Sequence, residues 1–298
     1  MLYMTPEYAT KNISKLVEIN KKSRICCIAI DEVHCVSQWG HDFRLAYRDL
    51  SKLRQIDPSI PFLAMTATAT PQVINDITGN LKLKSPEQTV TGFDRPNLYL
   101  EVRRKTNMAN DIKCLPCLVE LPNDEGFEFN GPTIIYCATR SLVEDVYEAL
   151  GALKIYAMMY HAGLSNNERT MCHNGFLLDK ISCMVATIAF GMGVDKPDVR
   201  NVIHYGAPKN PESYYQEIGR AGRDGAHSDC FVFWEAKDFQ TIRYYNKDIA
   251  DAAHRAHMSR LVLEMESYLK SSQCRRLRLL MHFDKELGSS PATIQGTV

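Results

Sequence analysis

The chain has 298 residues, 45% of them hydrophobic, and its 35 Lys and Arg balance 35 Asp and Glu. That length accommodates two packed domains of about 100–150 residues each, and the neutral balance neither advertises nor excludes nucleic acid, so any anion site must be a local patch. No apolar run approaches the roughly 18 residues that span a bilayer, so no membrane partner is expected, and the ten cysteines are scattered rather than framed for disulfides.

Taken in chain order, short apolar runs alternate with helical stretches at residues 25–30, 61–65, 133–136, 156–160, 183–187, 201–204 and 230–234. Each is bounded by Asp, Gly, Pro or Thr, which predicts buried parallel strands with functional residues at their carboxyl ends, an α/β pattern. Cys26, Cys27 and Cys183 lie inside such runs and are expected as buried thiols. The texture changes over residues 91–105, where Gly92, Pro96 and an extended stretch lead into Arg103-Arg104-Lys105. Residues 107–130, with Pro116, Pro122 and Gly126, predict a helix and a surface loop, and residues 242–280 are helical by periodicity. Cys114 and Cys117 form a C-x-x-C with no partner pair nearby.

Two clusters carry chemistry. The run 25–30 leads into Asp31-Glu32-Val33-His34, which places two carboxylates at a strand's carboxyl end, the edge where open α/β sheets bind ligands. Asp31 is placed to hold Mg²⁺ and Glu32 to orient and deprotonate an attacking water; His34 links this corner to its neighbours. A helix cap is the alternative for such an Asp-Glu pair. Far downstream, Gln216-Glu-Ile-Gly-Arg220-Ala-Gly-Arg223-Asp-Gly sets two guanidinium groups three residues apart among glycines, suited to phosphate oxygens, with a solvated basic turn as the alternative. The stretch Ser37-Gln-Trp39-Gly-His41-Asp-Phe43-Arg44 interleaves aromatic rings with a cation, a composition for stacking on unpaired bases or, equally, for a loop with a buried Trp.

Together with Thr66-Ala-Thr68 and Phe190-Gly-Met-Gly193-Val-Asp195-Lys, these runs occur in the order of superfamily-2 helicases. The Asp31–Arg44 and 216–225 runs resemble those of the RecQ family of ATP-dependent DNA helicases, over roughly residues 3–283, and within that family the runs at 91–105, 131–137 and 204–208 are most similar to Werner-type members. The resemblance implies two RecA-like lobes with mostly parallel sheets, the first lobe incomplete at residues 1–92 and the second at 93–240, followed at 241–298 by the helical, truncated start of a zinc-binding subdomain. It implies ATP held between the lobes, with Asp31 as Mg²⁺ ligand, Glu32 as base, and Gln216, Arg220 and Arg223 meeting the γ-phosphate. Gly193 and Asp195 would lie near the nucleotide. Contacts to single-stranded and forked DNA are implied for Trp39, His41, Phe43, Arg44, Cys137, Thr139, Arg140, His161, Ala162, Gly163 and Thr187, with Thr66 and Thr68 coupling nucleotide to DNA track. Nuclear localisation follows from the same resemblance.

There are two departures from the family pattern. No G-x-x-x-x-G-K-[ST] run occurs among these residues, so the chain reads as a fragment whose hydrolysis alone is doubtful. Cys274 matches the first zinc thiolate, but the later cysteines are missing, and a structural zinc needs four ligands, so Zn²⁺ is expected only in the full-length relative. The rival reading is a non-catalytic DNA-binding or regulatory module.

Overall fold

The computed structural model describes residues 1–37, 44–191 and 194–283. Its packing divides into two units, one built on Met1–Phe93 with Asp251–Met258, the other on Asp94–Ala250 with Ser259–His282.

In the first unit, helices α1 (Pro6–Lys11) and α2 (Ile13–Lys22) precede strand β1 (Ile28–Ile30); helix α3 (Leu45–Arg48), strand β2 (Phe62–Ala64) and helix α4 (Pro71–Asn80) follow. Strands β1 and β2 pair in parallel, Ile28 opposite Phe62 and Ile30 opposite Ala64. Pro6 and Pro71 open their helices at the first turn, where a missing N–H costs nothing. Ile30, Val33, Val36, Leu50, Leu53, Val73, Ile77 and Leu81 close a small core over the pair. Cys26 and Cys27 are exposed rather than buried. The strand starts only at Ile28, so the first half of the apolar run lies outside the ladder that would have covered it.

The second unit is built on strands β3 (Leu98–Arg104), β4 (Leu118–Glu120), β5 (Phe127–Phe129), β6 (Thr133–Cys137), β7 (Met158–Tyr160), β8 (Cys183–Ala186), β9 (Asn201–Tyr205) and β10 (Ser228–Trp234). Six of them form one sheet in the order β3-β10-β9-β6-β8-β7, and every pair in it is parallel. Parallel sheets need cover on both faces. Ile135, Cys137, Val185, Ile203, Tyr205, Phe231 and Phe233 point into a core closed by helices α5 (Met108–Lys113) and α6 (Arg140–Ala152). On the opposite face Tyr136 meets His204, and His204 meets Tyr214. The remaining helices are α7 (Asn166–Leu177), α8 (Pro211–Ile218), α9 (Ala236–Asn246), α10 (Ala252–Lys270) and α11 (Arg275–Phe283).

Two expectations give way here. The single helical stretch at 242–280 is three helices, because polar segments at 247–251 and 271–274 end one and start the next. The surface loop expected within 107–130 contains an antiparallel hairpin, β4 with β5, whose strands of three residues are too short for an alternating pattern to declare itself.

Helix α8 is anchored by several side-chain contacts. Asn210 caps it by accepting the Ser213 N–H at 2.8 Å, and Tyr214 is fully buried against Tyr268 of α10. His204 Nε2 lies 2.7 Å from Glu217. His282 of α11 sits 3.0 Å from Glu264 and 3.5 Å from buried Glu212. Burial works against a charged imidazole there, but hydrogen bonding to Glu212 and Glu264 outweighs it, and the His282 pKa is pushed up to about 9. A folded-state pKa above the ordinary 6.5 means that this clasp contributes fully below pH 6.5 and fades as pH rises towards 9. Denaturant unfolding of His282→Ala beside wild type should therefore show a stability gap that is widest at pH 6 and shrinks by pH 9.

Candidate functional site

In the first unit, Asp31 and Glu32 leave the carboxyl end of β1, and Thr66 and Thr68 follow the parallel end of β2. The chain turns sharply at Glu32, whose φ of 50° and ψ of 40° are left-handed, a strained conformation for a residue with a Cβ. Asp31 is exposed, and its Oδ1 accepts the Glu32 N–H at 2.9 Å. His34 is buried and joins the two strand ends: its Nδ1 lies 2.9 Å from Thr66 Oγ1 and 3.4 Å from Glu32 Oε2. Thr66 Oγ1 donates to the Thr68 carbonyl at 3.2 Å and accepts the Thr68 N–H at 3.2 Å. With the hydroxyl proton so committed, Thr66 meets His34 as an acceptor, which places a proton on Nδ1 facing both Thr66 and the Glu32 carboxylate. Burial first, and then the negative charge of Cys35, Glu32 and Asp31, pushes the Tyr47 phenol up to about 12. Residues 44–48 begin with Arg44, whose N–H donates to the Cys35 carbonyl at 3.0 Å. Trp39, His41 and Phe43 lie outside the described residues.

In the second unit the residues singled out from sequence gather at the carboxyl ends of β6, β7 and β8. Thr139 caps α6 by accepting the Leu142 N–H at 3.2 Å, and Arg140 is the first residue of that helix. Cys137 is buried at the end of β6, its thiol pKa pushed up by burial. His161, 6% exposed, accepts the Gly163 N–H on Nδ1 at 3.2 Å, which leaves Nε2 as the N–H, buried and with no hydrogen-bond partner among the described residues. A Cβ at Gly163 would sit 3.0 Å from the His161 ring and 3.4 Å from the Arg140 guanidinium. The three residues are thus one cluster, with Ala162 within its turn. Thr187 follows β8 and accepts the Ala189 N–H at 3.4 Å.

The paired arginines sit on the turn that ends α8, with half-buried Gln216 one turn earlier. Arg220 donates from Nη1 to the Gly191 carbonyl, and a Cβ at Gly191 would come within 2.7 Å of Arg220 Nη2, so a glycine is needed for that approach. Arg223 is 2.8 Å from Asp195, an exposed pair of little energetic weight. Gly193 lies outside the described residues. Cys274 is exposed at the start of α11, and among the described residues no group of three or more His, Cys, Asp or Glu is set to hold a metal. Asp31 still fits Mg²⁺, which is commonly held by one or two carboxylates plus substrate phosphates.

Sequence reasoning passed over Arg95 and Asn97, whose side chains bind the carbonyls of the arginine turn. The signal was the Arg95-Pro96-Asn97 run, which carries long polar side chains beside a stiff proline but gives no hint of a partner more than a hundred residues away.

Two units of parallel strands with polar residues at the strands' carboxyl ends define an α/β class that binds ligands at that edge, and known proteins resemble it in both halves. Residues 1–77 match the DEAD/DEAH box helicase family and residues 112–225 the helicase conserved C-terminal domain. The chain is 49% identical, over its whole length, to the Mus musculus bifunctional 3'-5' exonuclease/ATP-dependent helicase WRN, and 40% identical over 95% of its length to the Xenopus laevis RecQ-like DNA helicase BLM; it spans 21% of each. Saccharomyces cerevisiae Dbp5 bound to RNA and ADP BeF3 shares the fold, with a TM-score of 0.57 at 17% identity, over 85% of this chain and 67% of that one. The chain thus matches two helicase domain models and is similar, along 95% or more of its length, to RecQ-type helicases.

Gly222 in the arginine turn has φ of +54°, and a Cβ there would meet the Ala226 carbonyl at 2.7 Å. Gly222→Ala should cost about 1–3 kcal/mol, read as a lower denaturant midpoint with an unchanged slope.

Proposed function

We propose that this chain supplies motor elements of an ATP-dependent DNA helicase translocating 3′ to 5′ along a single strand. The observation that carries the reading is the buried His34 bridge, which ties the acidic end of β1 to the hydroxyl loop after β2. Glu32 acts as the base for the hydrolytic water, and its αL backbone holds the carboxylate beside Nδ1 of His34. His34 passes any shift of that carboxylate to Thr66, and Thr66 to the Thr68 main chain, a path from hydrolysis to the DNA track. Mg²⁺ held through Asp31 would supply charge neutralisation on the phosphates. Arg220 and Arg223 sense the γ-phosphate, with Gln216 beside them, and Gly193 and Asp195 lie near the nucleotide.

The DNA strand is gripped by Arg44, Thr139, Arg140, Gly163, Thr187 and the main chain at Cys137, with Trp39, His41 and Phe43 stacking on bases. The unpartnered Nε2–H of His161 supports this, since a buried donor without a partner is costly unless a ligand oxygen takes it. Single-stranded and forked DNA are the substrates, the site of action is nuclear, and the biological setting is repair, recombination and replication. Zinc enters only for a longer family member, with Cys274 as one ligand.

A second reading, a DNA-binding or regulatory module, draws on the lack of a G-x-x-x-x-G-K-[ST] run among these 298 residues. DNA-stimulated ATP hydrolysis by the full-length protein separates the two. Glu32→Gln should lower kcat by roughly 10²–10⁴-fold while KM for ATP stays close to wild type; undiminished turnover removes Glu32 from the chemistry. Fluorescence anisotropy with a single-stranded oligonucleotide should give Arg140→Ala an affinity about tenfold weaker, with a shallower dependence on salt than wild type.

A further inference from the structure

The turn that presents Arg220 and Arg223 is built from residues with little conformational preference of their own. Gly219, Gly222 and Gly225 lie within seven residues, and Gly222 and Gly225 are left-handed. Such a backbone samples many states unless something outside the turn selects one.

Part of that selection comes from residues 197–200, where the Val199 and Pro197 carbonyls accept the Gly222 and Asp224 N–H groups at 2.9 and 3.2 Å and Arg200 pairs with Asp224 at 2.7 Å. Part comes from a short segment at the start of the second unit. Arg95 Nη2 donates to the carbonyls of Ala221 and Gly222, each at 2.9 Å, and Nη1 reaches the Gly219 carbonyl at 3.5 Å. Asn97 Nδ2 donates to the carbonyls of Gly222 and Ala226, each at 2.9 Å. Gly219 is the C-cap residue of α8 and the other carbonyls belong to the turn just beyond it, so a guanidinium there also meets the negative pole of the helix. Pro96 stiffens the segment and holds Arg95 to extended backbone. Arg276 of α11 secures it from elsewhere in the unit, donating to the carbonyls of Leu98 at 2.8 Å and Pro96 at 3.2 Å, with Asp94 at 3.3 Å.

We propose that Arg95 and Asn97 are positioning residues that set the direction of Arg220 and Arg223, with Arg276 holding the strap that carries them. The inference rests on the reading that the arginine pair senses the γ-phosphate. Misplacing a transition-state group by about 1 Å costs on the order of 10² in rate, whereas losing a surface hydrogen bond in an inert turn would leave rate alone.

The test compares wild type, Arg223→Ala, Arg95→Ala, Arg95→Lys, Asn97→Ala and the Arg95→Ala/Arg223→Ala double variant of the full-length protein. DNA-stimulated ATP hydrolysis and amide hydrogen exchange of residues 219–226 are measured on each. Arg95→Ala should lower kcat by about 10- to 100-fold with KM for ATP within about twofold. Arg95→Lys should recover only part of that loss, because one ammonium lacks the planar fork that serves several carbonyls. Exchange at 219–226 should quicken about tenfold in Arg95→Ala while β6 and β9 keep their protection. The double variant should lose less than the product of the two single losses, since part of the Arg95→Ala effect acts through Arg223 and the rest through Arg220.

A kcat within about twofold of wild type in Arg95→Ala overturns the proposal, as do losses that multiply in the double variant or faster exchange spread through β6 and β9. If Arg223→Ala itself keeps full turnover, the γ-phosphate role of Arg223 falls instead, and the exchange data alone then decide whether Arg95 holds the turn.

Discussion

Parallel pairing is the constraint that sets the arrangement of both units. Because all pairs in the six-stranded sheet run the same way, every strand delivers its carboxyl end to one edge, and the irregular backbone needed for ligand contact collects there. Thr139 and Arg140 after β6, His161 and Gly163 after β7, and Thr187 after β8 become neighbours for this reason, though they span about fifty residues of chain. The same rule in the two-stranded pair puts Asp31 and Glu32 beside Thr66, which makes the His34 bridge possible.

The buried strands provide stiffness at that edge, and polar pairs tie the mobile-by-composition parts to it. Helix α8 is fixed by Tyr214 in the core, by His204 against Glu217 and by His282 between Glu212 and Glu264. Each of these pairs would be costly if half were lost, because the survivor would be a buried charge or an unsatisfied polar group. The glycine turn after α8 is held by main-chain bonds to Pro197 and Val199 and by the side chains of Arg95 and Asn97, so a rigid helix and an external strap together aim two long cationic side chains.

Much of this was legible in the residues themselves. The apolar runs at 133–136, 183–187, 201–204 and 230–234 correspond to β6, β8, β9 and β10, because a strand buried on both faces is continuous in its hydrophobicity. Strand β1 was overread by three residues, since apolar character at 25–27 does not say whether a neighbouring strand covers it. The break between α10 and α11 does not declare itself in the periodicity over 242–280 because the polar run Ser271-Ser272-Gln273 is shorter than one helical turn.

The chain by itself determined which side chains stand at strand ends, the glycine spacing around Arg220 and Arg223, and the family that the motifs resemble, because all of these are properties of residues close together in sequence. Tertiary structure alone decided that His34 faces Thr66 across 32 residues and that Arg95 serves carbonyls 124 to 127 residues away. A hydrogen-bond partner at such separation depends on the path of the whole backbone, and no local periodicity or turn preference encodes it.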